Sequence, residues 1–317
     1  MANSVTENVR ECQNVGGVMM YHTILVPLDG SAFSERALPM TTTLARALRA
    51  QVILVRAANA SVFPGADPSR AQFQTVEEAQ AYLSALATGL AEQGLNIEVA
   101  VPYGDAAESI LLEIGLRGAD MVVMCTHGRS GLGHWIYGSV AEQVLAQSPV
   151  PVLLVRPTSS TETLAPERER TTLLVPLDGS PFAETALTHA AMLARAFSAT
   201  ILLLRAVEHE TASYRSSSHV QDGSAGLPLD AAPYLEEVAQ RLRSTGLRVQ
   251  TVVEEGRPGD AVAYHGSTLG PSLIVMATHG RTGLGRLLLG SVALEVLRRS
   301  PLPVMLIRPA GQLTEAS

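Results

Sequence analysis

The chain is written twice. Val26-Pro27-Leu28-Asp29-Gly30-Ser31 recurs letter for letter as Val175-Pro176-Leu177-Asp178-Gly179-Ser180. Thr126-His127-Gly128-Arg129 recurs as Thr278-His279-Gly280-Arg281, and Gly138-Ser139-Val140 as Gly290-Ser291-Val292. Each copy closes with Ser-Pro, a short apolar run and Arg-Pro, at 148–157 and 300–309. The spacing between copies hardly drifts, so the unit of repetition is a whole domain and not a short solenoid repeat. Two homologous domains are expected at 21–157 and 171–310. A polar linker at 158–170 (TSSTETLAPERER) separates them, and tails lie at 1–20 and 311–317.

Within each copy the apolar periodicity alternates between strand and helix. In the first copy, strands are expected at 23–28, 51–57, 96–101, 121–126 and 150–156. Helices are expected at 33–49 (with Ser31 as N-cap and Pro39 as a blemish in its middle), at about 72–93, from near Asp105, and from Ser139. The second copy follows element for element, with a long Ser-rich loop at 208–229. The strands lack polar alternation, as a parallel sheet covered by helices on both faces requires. The expected fold is therefore α/β: two tandem doubly wound domains, each with five parallel strands flanked by four helices. In such sheets a ligand sits beyond the carboxyl ends of the strands, where strand order reverses. Both repeated motifs end a strand, the first and the fourth.

Composition narrows the chemistry. All 23 basic residues are Arg and none is Lys. That excludes a Walker A loop, a kinase strand lysine and Schiff-base or pyridoxal chemistry. Any phosphate must be held by backbone N–H groups, hydroxyls, Arg or a metal. With 30 acidic residues and a net charge of −7, a nucleic-acid-binding surface is not expected. The two cysteines, Cys12 and Cys125, offer no disulfide framework. The first twenty residues lack the apolar core of a secretory signal, and no apolar run reaches the length of a membrane span. A cytoplasmic protein without membrane attachment is expected.

The loop from Gly128 to Ser139 leaves a buried strand and enters a helix through Gly-Ser. Glycines let backbone approach a ligand, and a helix start favours an anion. The same glycines can instead serve only a tight turn. Ser139 can cap that helix or bond a phosphate oxygen. Gly280, Gly290 and Ser291 repeat the arrangement. Asp29 and Asp178 can receive N–H or O–H groups of a base or ribose, or cap an Asx-turn, and the two roles are compatible. Arg129 and Arg281 are either phosphate partners or solvated loop charges. His127 and His279 have no second ligand at metal spacing and are read as packing residues. Cys125, matched by Ala277, is read as a small buried residue.

The pattern Val-Pro-Leu-Asp-Gly-Ser, then Met-x-Thr-His-Gly-Arg, eight residues and Gly-Ser resembles the universal stress protein family. The resemblance runs from about Tyr21 to Ala310, twice over, as in a tandem member. It implies a five-stranded parallel α/β fold and, in the family's ATP-binding branch, adenosine nucleotide at the strand ends, with Mg expected beside it. On that resemblance Pro27, Leu28 and Asp29 lie near base and ribose and Ala57 near adenine. Met124, Gly128, Gly138, Ser139, Val140 and Ala141 form the nucleotide loop and phosphate-binding helix start. The second set is Pro176, Leu177, Asp178, Ala206, Met276, Gly280, Gly290, Ser291, Val292 and Ala293. The chain departs from the motif at its first Gly, which is Cys125 in one copy and Ala277 in the other. Where that Gly only gives the ribose room, a small side chain is tolerated; where it requires positive φ, affinity falls.

The resemblance also implies pairing through the last strands, 151–156 and 303–308, either within the chain as a pseudo-dimer or between chains as a homodimer. The leading function is an ATP-binding regulator of a stress response. The alternatives are a slow ATPase, or a nucleotide-free scaffold of the same family.

Overall fold

Continuous apolar runs give the strands, and their order gives the site. The computed structural model describes residues 21–59, 67–126, 138–156, 171–207, 230–268, 272–278 and 289–308. The expected tails at 1–20 and 311–317, the linker at 158–170 and the loop at 208–229 lie outside these residues.

In the first half, β1 (Thr23–Pro27) pairs in parallel with β2 (Gln51–Val55) on one side and β4 (Met121–Cys125) on the other. β3 (Ile97–Ala100) extends the sheet beyond β2, and β5 (Val152–Val155) extends it beyond β4. Strand order therefore reverses between β1 and β4, which is where a doubly wound sheet opens a crevice. The second half repeats this with β6 (Thr172–Pro176), β7 (Thr200–Val207), β8 (Arg248–Glu255), β9 (Leu273–Ala277) and β10 (Val304–Ile307). The two last strands pair antiparallel inside the chain, Met305 opposite Leu153. One ten-stranded sheet results, in the order β3-β2-β1-β4-β5-β10-β9-β6-β7-β8.

Helices cover both faces. On one lie α1 (Leu38–Leu48), α2 (Pro68–Ala91), α5 (Pro181–Phe197) and α6 (Ala231–Arg243), which bury Leu44, Leu83, Leu193 and Leu235 against Ile24 and Leu173. On the other lie α3 (Ala106–Arg117), α4 (Ser139–Gln147), α7 (Pro258–Thr268) and α8 (Ser291–Arg299), which bury Ile110, Val144, Val262 and Val296 against Leu25 and Leu174. Each apolar layer runs across both halves. Among the described residues no helix is long and apolar enough to cross a membrane.

Two helix expectations need correction. The segment expected as one helix at 33–49 is a 3-10 turn, Ser34–Ala37, followed by α1. Pro39 is not mid-helix but in the first turn of α1, where its missing N–H costs nothing. Ser31 accepts from the Ser34 amide at 3.2 Å and so closes the 3-10 turn rather than a long helix. The second half has Thr188 where the first has Pro39. There Ser180 does cap an unbroken α5, accepting from the Ala183 amide at 3.1 Å. α2 starts a turn before the expected 72, because the Asp67 carboxylate accepts from the Ser69 amide at 3.0 Å and caps it.

Candidate functional site

At the end of β1 the chain turns sharply. The Leu28 amide donates to the Val55 carbonyl at 2.8 Å, tying the ends of β1 and β2 together. Asp29 Oδ1 then accepts from the Ser31 amide (2.9 Å) and the Ser31 hydroxyl (2.6 Å), closing an Asx-turn over Gly30 at φ +82°. In the second half Leu177 donates to the Leu204 carbonyl at 2.8 Å. Asp178 Oδ1 accepts from Ser180 at the same two distances, over Gly179 at φ +84°. Both carboxylates are thus fixed by their own turns.

At the end of β4, Met124 and Cys125 are buried, 5% and 7% exposed. Cys125 and its counterpart Ala277 are strand residues, and neither has positive φ. The motif's first Gly is therefore not required here for backbone conformation, which leaves only the space its missing side chain would give. The Thr126 amide donates to the Val155 carbonyl at 3.0 Å, and the Gly138 amide donates back to the Thr126 carbonyl at 2.9 Å. These bonds close the neck of the glycine loop. Gly138 occupies the N-cap of α4 with no side-chain cap, so the amides of the first turn keep no intrahelical acceptor. Ser139 is the first helical residue and does not cap. Gly290 and Ser291 repeat this at α8, with Gly290 donating to Thr278 at 2.8 Å.

A cavity of about 420 Å³ lies between these two strand ends, a size suited to a small-molecule ligand. Pro27, Leu28 and Asp29 line it from β1, Ala57 from beyond β2, and Met124 and Cys125 from β4. Gly138, Ser139, Val140 and Ala141 line it from the start of α4. Four separated stretches of sequence thus meet around one space. Gly128, Arg129, Gly280 and Arg281 lie outside the described residues, as do His127 and His279. In the second half Leu177, Met276, Ala277 and Ala293 are buried, and Pro176, Asp178, Gly290 and Val292 are half-buried. Ala206 differs from Ala57. The β7–β8 ladder runs on through Ala206 opposite Glu254, whereas Ala57 lies past the end of β2. Among the described residues no group of three or more His, Cys, Asp and Glu could hold a metal.

Sequence reasoning missed several lining residues: Thr75 and Ala79 of α2, Ile110 of α3, and above all Arg56. The Arg56 guanidinium lies 5.0 Å from the centroid of the Tyr82 ring, and the Tyr82 hydroxyl donates to Glu35 Oε1 at 2.9 Å. The second half builds the same group: Arg205 lies 5.0 Å from the Tyr234 ring, and Tyr234 donates to Glu184 Oε1 at 3.0 Å. Burial first, and then the adjoining carboxylate, pushes both phenols well above the ordinary tyrosine range, so each remains a proton donor. The signal was present in the sequence as an Arg directly after an apolar run in both copies, Val55-Arg56-Ala57 and Leu204-Arg205-Ala206.

Residues 20–156 and 169–308 each match the sequence profile of the Universal stress protein family. A universal stress protein of Mycobacterium tuberculosis is 27% identical over 302 residues, covering 90% of this chain and 97% of that one. One from Methanocaldococcus jannaschii is 30% identical over 145 residues, 44% of this chain and 85% of its own. Among solved structures, a universal stress protein from Archaeoglobus fulgidus superposes with a TM-score of 0.71 at 22% identity, covering 90% of this chain and 98% of that one. With both halves matched and the duplicated strand-end motifs in place, the chain belongs to the universal stress protein family, with two of its domains in tandem.

Proposed function

We propose that the chain is an adenine-nucleotide-binding regulatory protein in which each half holds ATP at its strand ends. The observation that carries this reading is the convergence of residues from β1, β2, β4 and α4 on one 420 Å³ cavity that ends at an uncapped helix start. The amides of that first turn, the Gly138–Ser139 backbone and the Ser139 hydroxyl suit phosphate, as do Gly290 and Ser291 in the second half. Pro27, Leu28, Asp29 and Ala57 take the base and ribose end, with Pro176, Leu177, Asp178 and Ala206 as their counterparts. Gly128, Arg129, Gly280 and Arg281 complete the phosphate loops. Mg arrives with the nucleotide, bound chiefly by its phosphates.

The functional units are the domains at 21–157 and 171–310, joined by the linker 158–170, in a cytoplasmic protein that responds to stress. An ATP site without lysine suits binding better than phosphoryl transfer. The test is direct: denature the purified protein and measure released adenine nucleotide by mass spectrometry, then follow thermal unfolding with added ATP–Mg. Released nucleotide and a raised midpoint support the proposal. An empty extract with no shift overturns it in favour of a nucleotide-free scaffold.

A further inference from the structure

The two halves have diverged over most of their length, yet one group of three side chains is rebuilt to within 0.1 Å. Tyr82 to Glu35 is 2.9 Å and Tyr234 to Glu184 is 3.0 Å, and each Arg stands 5.0 Å from its ring centroid. The group lies beneath the Asp-Gly turn. A Cβ placed on Gly30 would stand 3.1 Å from the Arg56 guanidinium, and one on Gly179 would stand 3.2 Å from that of Arg205. Each guanidinium is therefore a flat plate, held from below by a tyrosine ring, on which the left-handed glycine of the turn rests. The ring is itself pinned by a carboxylate from the segment that follows the turn: Glu35 in the 3-10 turn, Glu184 in α5. The chain folds back to brace the same turn from two directions.

We propose that Arg56 and Arg205 are positioning residues that hold the Asp29 and Asp178 carboxylates in register with the ligand's ribose. This inference rests on the nucleotide reading above. The bracing acts on the turn through its backbone. Asp29 Oδ1 is committed to Ser31, so the direction of the whole carboxylate follows the turn, and the turn follows the plate under Gly30. A carboxylate so fixed discriminates in favour of a ligand that offers hydroxyl donors. The stack on tyrosine needs a planar guanidinium, which lysine does not supply.

The test compares ATP with its 2′,3′-dideoxy analogue on the full chain by calorimetry. The wild type is expected to favour ATP at least about tenfold, the scale of a lost hydrogen bond to a charged acceptor. Arg56→Ala/Arg205→Ala is expected to weaken ATP and leave the dideoxy analogue nearly unchanged, so that discrimination collapses. In an Asp29→Asn/Asp178→Asn background the same Arg changes are expected to add nothing further. Equal weakening of both ligands would mean a merely structural role and overturn the inference, as would retained discrimination. Wild-type protein that binds ATP without preferring it also overturns the inference and leaves the nucleotide reading standing. Wild-type protein that binds neither ligand overturns the nucleotide reading itself. Should the alanine pair fail to fold, Arg56→Lys/Arg205→Lys keeps the charge and loses the plate; full discrimination in that variant counts against the inference.

Discussion

The Gly138 amide donates to the Thr126 carbonyl at 2.9 Å and so joins the start of α4 to the end of β4. The bond holds the first turn of α4 over the cavity whatever occupies the loop between. Gly138 has φ −64° and ψ 158°, ordinary N-cap values, and a Cβ there would meet nothing within 4 Å. A side chain is therefore free to enter without strain. Asp is among the best N-cap residues, so Gly138→Asp should leave the melting temperature unchanged or raise it slightly.

The same substitution puts a carboxylate where phosphate is proposed to bind. Gly138→Asp/Gly290→Asp should therefore abolish ATP binding, while Gly138→Ser/Gly290→Ser, which caps without charge, should keep most of it. Titration calorimetry beside a thermal melt separates the two effects. Wild-type affinity in the Asp pair would place the phosphates elsewhere.

Gly30 and Gly94 give a matched pair for the turn. Their φ values are +82° and +83°, but a Cβ on Gly94 would meet nothing, whereas one on Gly30 would press on the Arg56 guanidinium. Either change to Ala should cost about 1–2 kcal/mol in a denaturant melt from left-handed backbone strain. Only Gly30→Ala should also weaken ATP binding, because only it shifts the plate under the Asp29 turn. Equal loss of affinity in both variants would trace the effect to general stability.

Much of this was legible in the sequence, and the reason is duplication. Two copies of the Asp-Gly-Ser turn and of the Gly-Ser helix start gave two independent readings of each strand end. The apolar strands gave a parallel sheet, because burial on both faces leaves no polar alternation. What escaped has physical causes. Pro39 reads as a helix breaker until the preceding 3-10 turn places it in a first helical turn. Glu35 in the 3-10 turn, Arg56 just past β2 and Tyr82 in α2 lie up to 47 residues apart, and no local spacing links them. The choice between pairing the last strands within the chain and between chains was open, because both use identical edges. The structure pairs β5 with β10 in one chain.

Tyr21, just before β1, and His189, on α5, connect the halves. The Tyr21 hydroxyl and His189 Nδ1 are 2.6 Å apart and buried. Burial pushes the His189 imidazole down to about 4. Unfolded, it titrates near 6.5, so below that pH the unfolded chain takes up a proton that the folded chain refuses. Stability is therefore full above about pH 6.5 and falls as pH drops towards 4, by roughly 3 kcal/mol for this one group. The repeat-equivalent residue in the first half is the buried Met40. His189→Met should flatten the melting temperature between pH 6.5 and 4 relative to wild type. An unchanged slope would assign the acid sensitivity to other groups.

The last strands are also tied at their ends. Arg156, after β5, donates to the Leu297 carbonyl in the last turn of α8, and Arg308, after β10, donates to the Ala146 carbonyl in the last turn of α4. Each half thus caps a helix of the other with a cation at the negative end of its dipole. Burial lowers the pKa of Arg156, yet guanidinium remains charged at any ordinary pH. Removing one Arg leaves a helix carbonyl without its donor and should cost about 1–2 kcal/mol. Because the bond crosses between halves, the loss falls on their association. In Arg156→Ala/Arg308→Ala the single unfolding transition expected of a continuous ten-stranded sheet should broaden or split in calorimetry, with a lower m-value for the first step. A uniform shift of one sharp transition would show instead that the β5–β10 ladder and the shared apolar layers alone couple the two halves.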